Sequence, residues 1–409
     1  MRDLERDEVV PAARALAASD RCHAAFGASR WSDFRSDVAC FRSVCDDAYW
    51  NGIQTDHGYN PPPAWSMLGG VFSSLGPASE TLLAALAMID VGLLIAAFAV
   101  TGWAFGLRAL CVTIVVWGCQ EPGSFVWLQG TFLRQDWFFC LALGAALLRR
   151  RRWFSAGAAL ASGAALRAFP VVFLVGPSVV LARRALEARA IPMTTRRFFA
   201  GAALVGGMWA VAGAFASPGA YPAWVSHIRQ HDSVVATNRI GLQTLFEYGP
   251  TTRLEAFSQS ADGDRAWLAA RRAAAVRSSG ARKLAALALI AGVLLALWSV
   301  RTPWIAALLS ASLLFPLSSL NSYYYIVITL LGPLASLGAR FERRLLAGIA
   351  LMQVLVVMPA LSWWWDDRYA VISVVIAALE GALLAPWLVR SLRSLRRAKL
   401  SGRAASAGP

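Results

Sequence analysis

Apolar runs of membrane-spanning length alternate with short charged segments along most of this chain. The first convincing run covers residues 81–104, and others follow as far as residue 388. A transmembrane helix needs about 20 mostly apolar residues, so the pattern predicts an all-α, polytopic membrane helix bundle with about eleven transmembrane helices. The predicted spans are 81–104, 109–119, 136–148, two within 153–183, then 198–215, 284–300, 304–317, 323–337, 345–361 and 369–388.

One apolar run is too long for a single crossing. A continuous helix over residues 153–183 would measure about 46 Å, whereas the hydrocarbon core of a bilayer is about 30 Å thick. Arg167 and Pro170 interrupt the run, and a proline inside a helix removes a backbone hydrogen bond. We therefore predict two short helices that meet near Arg167, close to the outer face.

Clusters of arginine set the predicted orientation. The arginines at 149–152 and the basic tail, residues 390–409, are expected in the cytoplasm by the positive-inside rule. With eleven spans, the N-terminal segment, residues 1–78, is then external, and it holds the predicted catalytic loop. The transmembrane domain, residues 79–389, includes a long external loop at 217–283. That loop is unusually rich in arginine, but loops longer than about 60 residues are largely exempt from the rule.

Composition narrows the class of protein. Among 409 residues, 57% are hydrophobic and 15% charged, and the mean hydropathy is +0.51, which excludes an ordinary soluble domain. The net charge of +15 would suit a nucleic-acid partner, but the basic residues lie in short clusters between apolar runs. We therefore expect a lipid bilayer as partner and no nucleic acid. Cys22, Cys40, Cys45 and Cys119 fall in predicted external segments, where a disulfide and unpaired thiols are equally compatible with the spacing.

Three polar segments on the predicted external side carry candidate chemistry. The first, residues 32–63, includes Asp33, Asp37, Asp46 and Asp47 before a run of three prolines. Any of these carboxylates could act as a general base. A solvated surface carboxylate is the plainer interpretation of each.

The second polar segment ends where the chain enters the membrane. Arg134 and Asp136 lie at this point, where arginine can pair with a phosphate and aspartate can orient it or an acceptor hydroxyl. Interfacial anchoring accounts for them as well. Arg167 is a donor-phosphate candidate for a further reason, because an arginine between two apolar half-helices is costly unless it meets an anion, water or headgroups.

The third polar segment combines His227, His231 and Asn238. The histidines have the spacing of one helical turn, which could serve a substrate or, less convincingly, a metal, because no third ligand is fixed by spacing. Tyr324 lies in a run of three tyrosines at a predicted external span end. Such tyrosines form an aromatic belt or line a sugar pocket.

The order of these residues resembles a known family. Asp37, then Gly52, then the segment Tyr59-Asn60-Pro61-Pro62 before the first span is similar to the signature of polyprenyl-phosphate-dependent glycosyltransferases with the GT-C fold, nearest to glycosyltransferase family 87. Leu128-Gln129-Gly130 and the small-residue helix ending at Arg167 and Pro170 extend the resemblance. The family has a membrane helix before the aspartate loop, which the first 65 residues of this sequence do not contain.

The resemblance implies a function. It predicts an inverting hexosyltransferase that moves a sugar, with mannose as one candidate, from a polyprenyl phosphate to a cell-envelope glycan or glycolipid. By the same resemblance Asp37 is the base, and Arg167, which stands at the family's basic position, binds the donor phosphate. Their places at the ends of apolar runs and in the polar segments make Arg134 the second candidate for the phosphate and Asp136, His231, Asn238 and Tyr324 the candidates for substrate contact. No organic cofactor is implied, no metal ligands are assigned, and a need for a divalent ion stays open. The expected location is a bacterial inner membrane with an external, periplasmic site.

Two other functions fit the same pattern. A transporter or flippase of a lipid-linked glycan would also be polytopic, although such proteins show related halves or interrupted helices around a midplane site. An inactive, truncated paralogue is the other alternative.

Overall fold

The computed structural model describes residues 1–4, 8–17, 19–24, 26–123, 131–232, 234–260, 262–357 and 365–406. These residues form an all-α protein with four two-residue strands. The chain divides into two compact units. The first comprises Met1–Gly92, Gly130–Leu133 and Trp209–Val234, and the second comprises Leu93–Gln129, Arg134–Met208 and Val235–Pro409.

The first unit contains short strands, short helices and the outer parts of two long helices. Its strands β1 and β2 pair in antiparallel fashion. Its elements are β1 Arg2–Asp3, β2 Glu8–Val9, α1 Ala12–Leu16, α2 Ser19–Ala24, α3 Ala28–Val44, α4 Asp47–Gln54, α5 Pro63–Ser73, the first half of α6 Glu80–Phe105, and, from later in the chain, the end of α11 Met193–Ala216 and α12 Ala220–Asp232.

The second unit holds the remaining described helices, four of which are 3₁₀ helices. Strands β3 and β4 pair with Arg239 opposite Asn321. Its elements are α7 Leu107–Cys119, α8 Asp136–Arg149, α9 Trp153–Leu166, the 3₁₀ helix Phe169–Val171, α10 Val172–Ala188, β3 Arg239–Ile240, α13 Leu242–Glu247, the 3₁₀ helix Leu254–Phe257, α14 Gly263–Ser299, α15 Pro303–Leu309, the 3₁₀ helix Ser310–Leu313, α16 Leu314–Leu317, β4 Leu320–Asn321, the 3₁₀ helix Ser322–Leu337, α17 Ala339–Val357 and α18 Trp365–Ser406.

Five helical stretches among the described residues are long and apolar enough to cross a membrane. They are Glu80–Phe105, Phe169–Ala188, Met193–Ala216, Gly263–Ser299 and Asp366–Arg397. Four shorter apolar helical stretches accompany them: Leu107–Cys119, Trp153–Leu166, Pro303–Leu317 and Ser322–Leu337. The all-α class is therefore confirmed, and association with a lipid bilayer follows from the lengths and apolar surfaces of these helices.

The predicted interruption of residues 153–183 is confirmed. Helix α9 ends at Leu166, Arg167 is extended (φ −148°, ψ 139°), and the 3₁₀ helix Phe169–Val171 leads into α10. Pro170 stands in the first turn of the new helix, where a missing N–H is tolerated. The backbone therefore opens at Arg167 itself, and the guanidinium group lies between two helices.

Close backbone approaches hold the helices of the second unit together. A Cβ at Gly157 of α9 would lie 2.0 Å from the Phe198 carbonyl oxygen, and one at Gly201 of α11 would lie 2.0 Å from the Phe154 carbonyl oxygen. Small residues at such positions let helices meet backbone to backbone, which is how helices associate when the surrounding lipid removes the hydrophobic driving force.

The segment 217–283, expected to be a long polar loop, is largely helical. Helices α12 and α13 lie in this segment, and α14 begins at Gly263, twenty residues before the predicted end of the loop. Alanine and arginine alternate in short groups from residue 266 to 283, and both are strong helix formers. The helix therefore continues from the apolar span into polar surroundings, and polarity alone misplaced its start.

The expectation of a catalytic loop at 32–63 is also corrected. Residues 28–44 form α3 and residues 47–54 form α4, so Asp37 stands on a helix. Asp46 caps α4, because its Oδ1 accepts the Tyr49 N–H at 2.7 Å. This capping gives Asp46 a structural role. Cys40, Cys45 and Cys119 are free thiols.

Candidate functional site

Three separate elements of the second unit converge on one group of side chains, the tyrosine–arginine site. It comprises Arg134, which precedes α8, Trp137 on the first turn of α8, Arg167 and Phe169 at the break between α9 and α10, and Tyr323 and Tyr324 at the start of the 3₁₀ helix Ser322–Leu337. Three of its members, Arg134, Arg167 and Tyr324, are residues that the sequence singled out one at a time.

Two arginine charges act on the tyrosines of this site. The Arg134 guanidinium carbon lies 5.0 Å from the centre of the Tyr323 ring, a distance typical of a cation–π contact. The charges of Arg134 and Arg167 both act on the Tyr324 hydroxyl. Arg167 is 8% exposed, and its Nη1 donates to the Leu166 carbonyl oxygen at 3.2 Å. The two arginines thus lie near the pair of tyrosines.

Aromatic rings form the rest of the site. Phe169 lies 4.9 Å from the Trp137 ring centre and 5.0 Å from that of Tyr324, and Tyr323 lies 4.5 Å from Tyr324. Trp137 is 2% exposed, so it anchors the others. Rings beside cationic groups make a surface that suits the apolar face of a sugar together with an anion.

Asp136 and Asn238 lie beside the site, and each forms a hydrogen bond that involves a backbone group of the site's elements. Asp136 is 4% exposed and opens α8, and its Oδ1 accepts the Trp137 N–H at 2.6 Å. A carboxylate at a helix N-terminus complements the helix dipole. The Asn238 carbonyl oxygen accepts the Ser322 N–H at 2.8 Å, next to the paired strands β3 and β4. Asn238 therefore contacts the first residue of the 3₁₀ helix that carries Tyr323 and Tyr324.

Asp37 and His231 belong to the other unit. Asp37 is half-buried on α3, and its Oδ1 accepts the Ala78 N–H at 2.8 Å. His231 stands on α12, with its ring centre 6.1 Å from that of His57 and its Nε2 3.4 Å from the Asn60 Nδ2. His227 is one turn away on the same helix, as its spacing predicts. Their roles as base and substrate contact stay predictions.

A second polar group, the acid clamp, was not found from the sequence. Asp366 and Asp367 open α18 and are 1% and 3% exposed. Arg271 Nη2 donates to Asp366 Oδ2 at 2.9 Å, and Arg253 donates to Asp367 through Nε at 3.1 Å and Nη2 at 2.7 Å. Tyr248 completes the clamp, because its hydroxyl donates to Asp367 Oδ1 at 2.6 Å.

The acid clamp explains an unusual feature of the sequence, the excess of arginine in residues 217–283. Burial, followed by the hydrogen bond to Asp367, raises the pKa of Tyr248 to about 12, so the phenol stays a donor at every physiological pH. The excess arginine of residues 217–283 is partly accounted for, since Arg253 and Arg271 neutralise two buried carboxylates. The pair of aspartates just before the last predicted span, 369–388, is the sequence signal that could have revealed the clamp. Trp363 and Trp364, which precede them, lie outside the described residues.

The described residues include no group of three or more His, Cys, Asp or Glu side chains that could hold a metal ion. Leu128-Gln129-Gly130, part of the family resemblance, lies outside the described residues. Comparison with family models, with curated proteins and with solved structures finds no match to this chain.

Proposed function

We propose that this protein is a membrane glycosyltransferase of the GT-C type, which moves a hexose from a polyprenyl phosphate to a cell-envelope glycan or glycolipid. The observation that carries the proposal is the tyrosine–arginine site, where Arg134 lies over the Tyr323 ring and Arg167 precedes Phe169, whose ring packs on Tyr324. A phosphate, a sugar and a lipid chain are the three parts of such a donor, and each has a counterpart there.

Each part of the donor is assigned to named groups. Arg134 and Arg167 bind the phosphate, since guanidinium groups form strong, directional hydrogen bonds with phosphate oxygens. Tyr324, Asp136 and the Asn238 side chain hydrogen-bond the sugar, and Phe169 supports its apolar face. The polyprenyl chain stays in the bilayer around the helices. His231 contributes to the acceptor side.

Transfer requires one bond to form and one to break. In the proposed step Asp37 takes the proton of the acceptor hydroxyl, the acceptor oxygen forms a bond to the anomeric carbon from the face opposite the phosphate, and the bond from that carbon to the phosphate oxygen breaks. The polyprenyl phosphate leaves, and the two arginines neutralise its added charge.

Contacts within the second unit support the proposed orientation. Arg108 pairs with Glu342, Arg184 Nη2 donates to the Arg301 carbonyl oxygen at 2.8 Å, and the Arg149 guanidinium carbon lies 5.6 Å from the Trp304 ring centre. Residues expected in the cytoplasm thus contact one another. In the proposed topology, with eleven spans, this basic end is cytoplasmic and the tyrosine–arginine site is external, at a bacterial inner membrane.

A transporter of a lipid-linked glycan is the second candidate, favoured by one observation. The helical stretch around Arg167 is interrupted, and interrupted helices commonly form transporter binding sites. A flippase would need the same phosphate and sugar contacts without a base. The two candidates therefore differ in the fate of the donor and not in its binding.

The test compares the envelope of a deletion strain with strains complemented by wild-type protein, by Asp37→Asn and by Asp33→Asn. Mass spectrometry of envelope glycans and glycolipids should show hexose missing in the deletion strain and restored by the wild type. Asp37→Asn should reduce transfer by about a hundredfold to ten-thousandfold, the usual effect of losing a general base. Asp33 lies one turn away on the same helix and is exposed, so Asp33→Asn is the matched control.

The accumulated donor separates the two candidates. Without a transferase, the polyprenyl-phosphate sugar collects in the external leaflet, where membrane-impermeant periodate oxidises it in intact cells. Without a flippase, it collects in the inner leaflet and resists periodate until the cells are opened. An envelope profile unchanged by the deletion counts against both.

A further inference from the structure

Helix α3 carries two chemically different faces. At 100° per residue, Trp31, Phe34, Val38 and Phe41 form one stripe. Arginines flank this stripe at residues 30, 35 and 42. The far side of the helix is small and polar, and consists of Ser32, Asp33, Ser36, Cys40 and Ser43. We call the surface formed by the apolar stripe and its three arginines the α3 face.

Much of the α3 face is exposed, although the Phe26 ring centre lies 5.4 Å from that of Trp31 and 5.3 Å from that of Phe34. Phe34 is 42% exposed and Phe41 is 40% exposed, and the three arginines are exposed as well. Trp31 stacks on Phe34 with 5.5 Å between ring centres. Arg42 also pairs with Asp47, which is itself 85% exposed. Large rings held in one arrangement at the surface, beside cations, indicate a binding surface.

The position of α3 within the first unit identifies the surroundings of this face. Asp37, at the edge of the stripe, accepts the Ala78 N–H at 2.8 Å. Ala78 stands two residues before α6, a helix of membrane-spanning length. The end of such a helix lies in the headgroup region of a bilayer. The hydrogen bond therefore holds α3 at the membrane surface.

We propose that the α3 face binds the anionic surface of the bilayer. Tryptophan and phenylalanine are suited to the boundary between headgroups and acyl chains. The guanidinium groups of Arg30, Arg35 and Arg42 hydrogen-bond lipid phosphates there. The ligand is an anionic phospholipid headgroup, and the proposal does not depend on which sugar donor the protein uses.

Charge favours lipid over a second copy of this chain as the occupant. A two-fold interface would bring the same face of both copies together, and all three flanking charges are positive. Like charges placed opposite one another oppose association. An anionic bilayer supplies the complementary charge, and the spanning helices already place the protein beside it.

Hydrogen exchange of the full chain in lipid nanodiscs tests the proposal. Amide exchange of residues 28–44 is measured in discs of phosphatidylcholine alone and in discs with one third phosphatidylglycerol, with one protein per disc. Exchange should be slower in the anionic discs. Each arginine near an anionic surface contributes about fivefold to binding, so the variant R30Q/R35Q/R42Q should lose on the order of a hundredfold and exchange equally fast in both discs.

Three controls make the outcome decisive. R393Q/R396Q/R397Q removes three exposed arginines from α18, and it should leave the lipid effect on α3 intact. R30K/R35K/R42K should retain most of the effect, because charge is preserved. F34S/F41S should speed exchange of α3 in both kinds of disc while α6 stays protected, which shows that the fold survives.

Two results would overturn the proposal. One is wild-type exchange that does not differ between the two lipid compositions. The other is slowing that follows the number of proteins per disc and ignores the lipid, which would assign the face to a second copy of this chain.

Discussion

The tyrosine–arginine site and the acid clamp lie in the same unit, and each contains two arginines, but their arginines face different groups. In the clamp, Arg253 and Arg271 donate to Asp367 and Asp366 at 2.7 to 3.1 Å. In the tyrosine–arginine site, the same kind of side chain lies over a ring or acts on a phenol. The segment after β3 contacts the helix that carries the clamp acids, since Gly241 N donates to Ser373 Oγ of α18 at 3.3 Å.

The proposed function assigns a structural use to the buried charges of the clamp and a binding use to those of the tyrosine–arginine site. A carboxylate that receives two or three donors is neutralised, and the segment that carries the arginines is tied to the helix that carries the acids. Removing a clamp arginine should therefore affect folding, whereas removing a site arginine should affect activity.

The largest expected effect is on stability, from Arg271→Met. The Asp366 carboxylate, which is 1% exposed, loses its cation in this variant. Breaking a buried ion pair costs about 3–5 kcal/mol of unfolding free energy. We expect the lower end, because the Leu254 N–H still donates to Asp366 Oδ2 at 2.8 Å. Thermal unfolding in detergent measures the loss.

The control for Arg271→Met is Arg265→Gln on the same helix. The Arg265 side chain is 87% exposed and lies 3.9 Å from an Asp262 that is 78% exposed, so its loss should leave the melting temperature unchanged. Equal melting temperatures for Arg271→Met and wild type would show that the clamp is not structural.

The next effect is on activity, from Arg167→Gln. Loss of a charged hydrogen bond to phosphate costs about 1.5–3 kcal/mol, so transfer should fall about 10- to 150-fold while the melting temperature stays within a degree or two. Arg167→Lys should recover part of the activity, because the charge survives and the bidentate geometry does not. Arg152→Gln, exposed at the other end of α9, should be fully active. If Arg167→Gln unfolds the protein, Arg167 is structural and the contrast fails.

A smaller effect is expected from Tyr248→Phe. The variant loses one hydrogen bond to Asp367, yet Arg253 still pairs with both carboxylate oxygens, so the loss should be about 1 kcal/mol. Because the folded pKa of Tyr248 is raised to about 12, its stabilisation is complete below the unfolded pKa of about 10. The difference from wild type should shrink as the pH rises from 10 to 12. A difference that is constant over this range would contradict the assigned bond.

The smallest effect is expected from Glu247→Gln beside the clamp. Burial raises the pKa of Glu247, although Gln243 Nε2 donates to it at 2.6 Å. A carboxyl group whose pKa is raised in the folded state contributes stability only below its unfolded pKa of about 4.3. That contribution is lost as the pH rises through the folded pKa. The variant should therefore be slightly more stable than wild type at pH 7.5, by less than about 1 kcal/mol. The gain should disappear near pH 4, and a loss of stability at pH 7.5 would mean that the nearby arginines dominate.

Local signals in the sequence were sufficient for the helices and for one feature of the site. Long apolar runs predicted helices such as α6, because hydrophobicity sustained over about 20 residues is typical of a membrane-spanning helix. The break at Arg167 was predictable because helix length and the constraint of Pro170 are local properties. Arg134, Arg167 and Tyr324 were recognised separately, each from its place at the end of an apolar run.

Polarity alone gave the wrong prediction where a helix continues beyond its apolar span. Residues 263–283 looked like a loop, but helix propensity, and the pairing of Arg271 with an acid 95 positions further on, make this segment part of α14. The same reasoning failed for Asp37, which stands on a helix and holds Ala78. In both cases the deciding partner lies far away in the sequence.

The sequence by itself therefore determined that this chain is an all-α membrane protein and which of its residues could carry charge to a bilayer surface. Only the tertiary structure decided that Arg134, Arg167 and Tyr324 meet, while Arg253 and Arg271 are committed to Asp367 and Asp366. The physical reason is that hydropathy and helix propensity act within a few turns of a residue. Ion pairs and ring contacts join side chains whose separation along the chain carries no information about their distance in space.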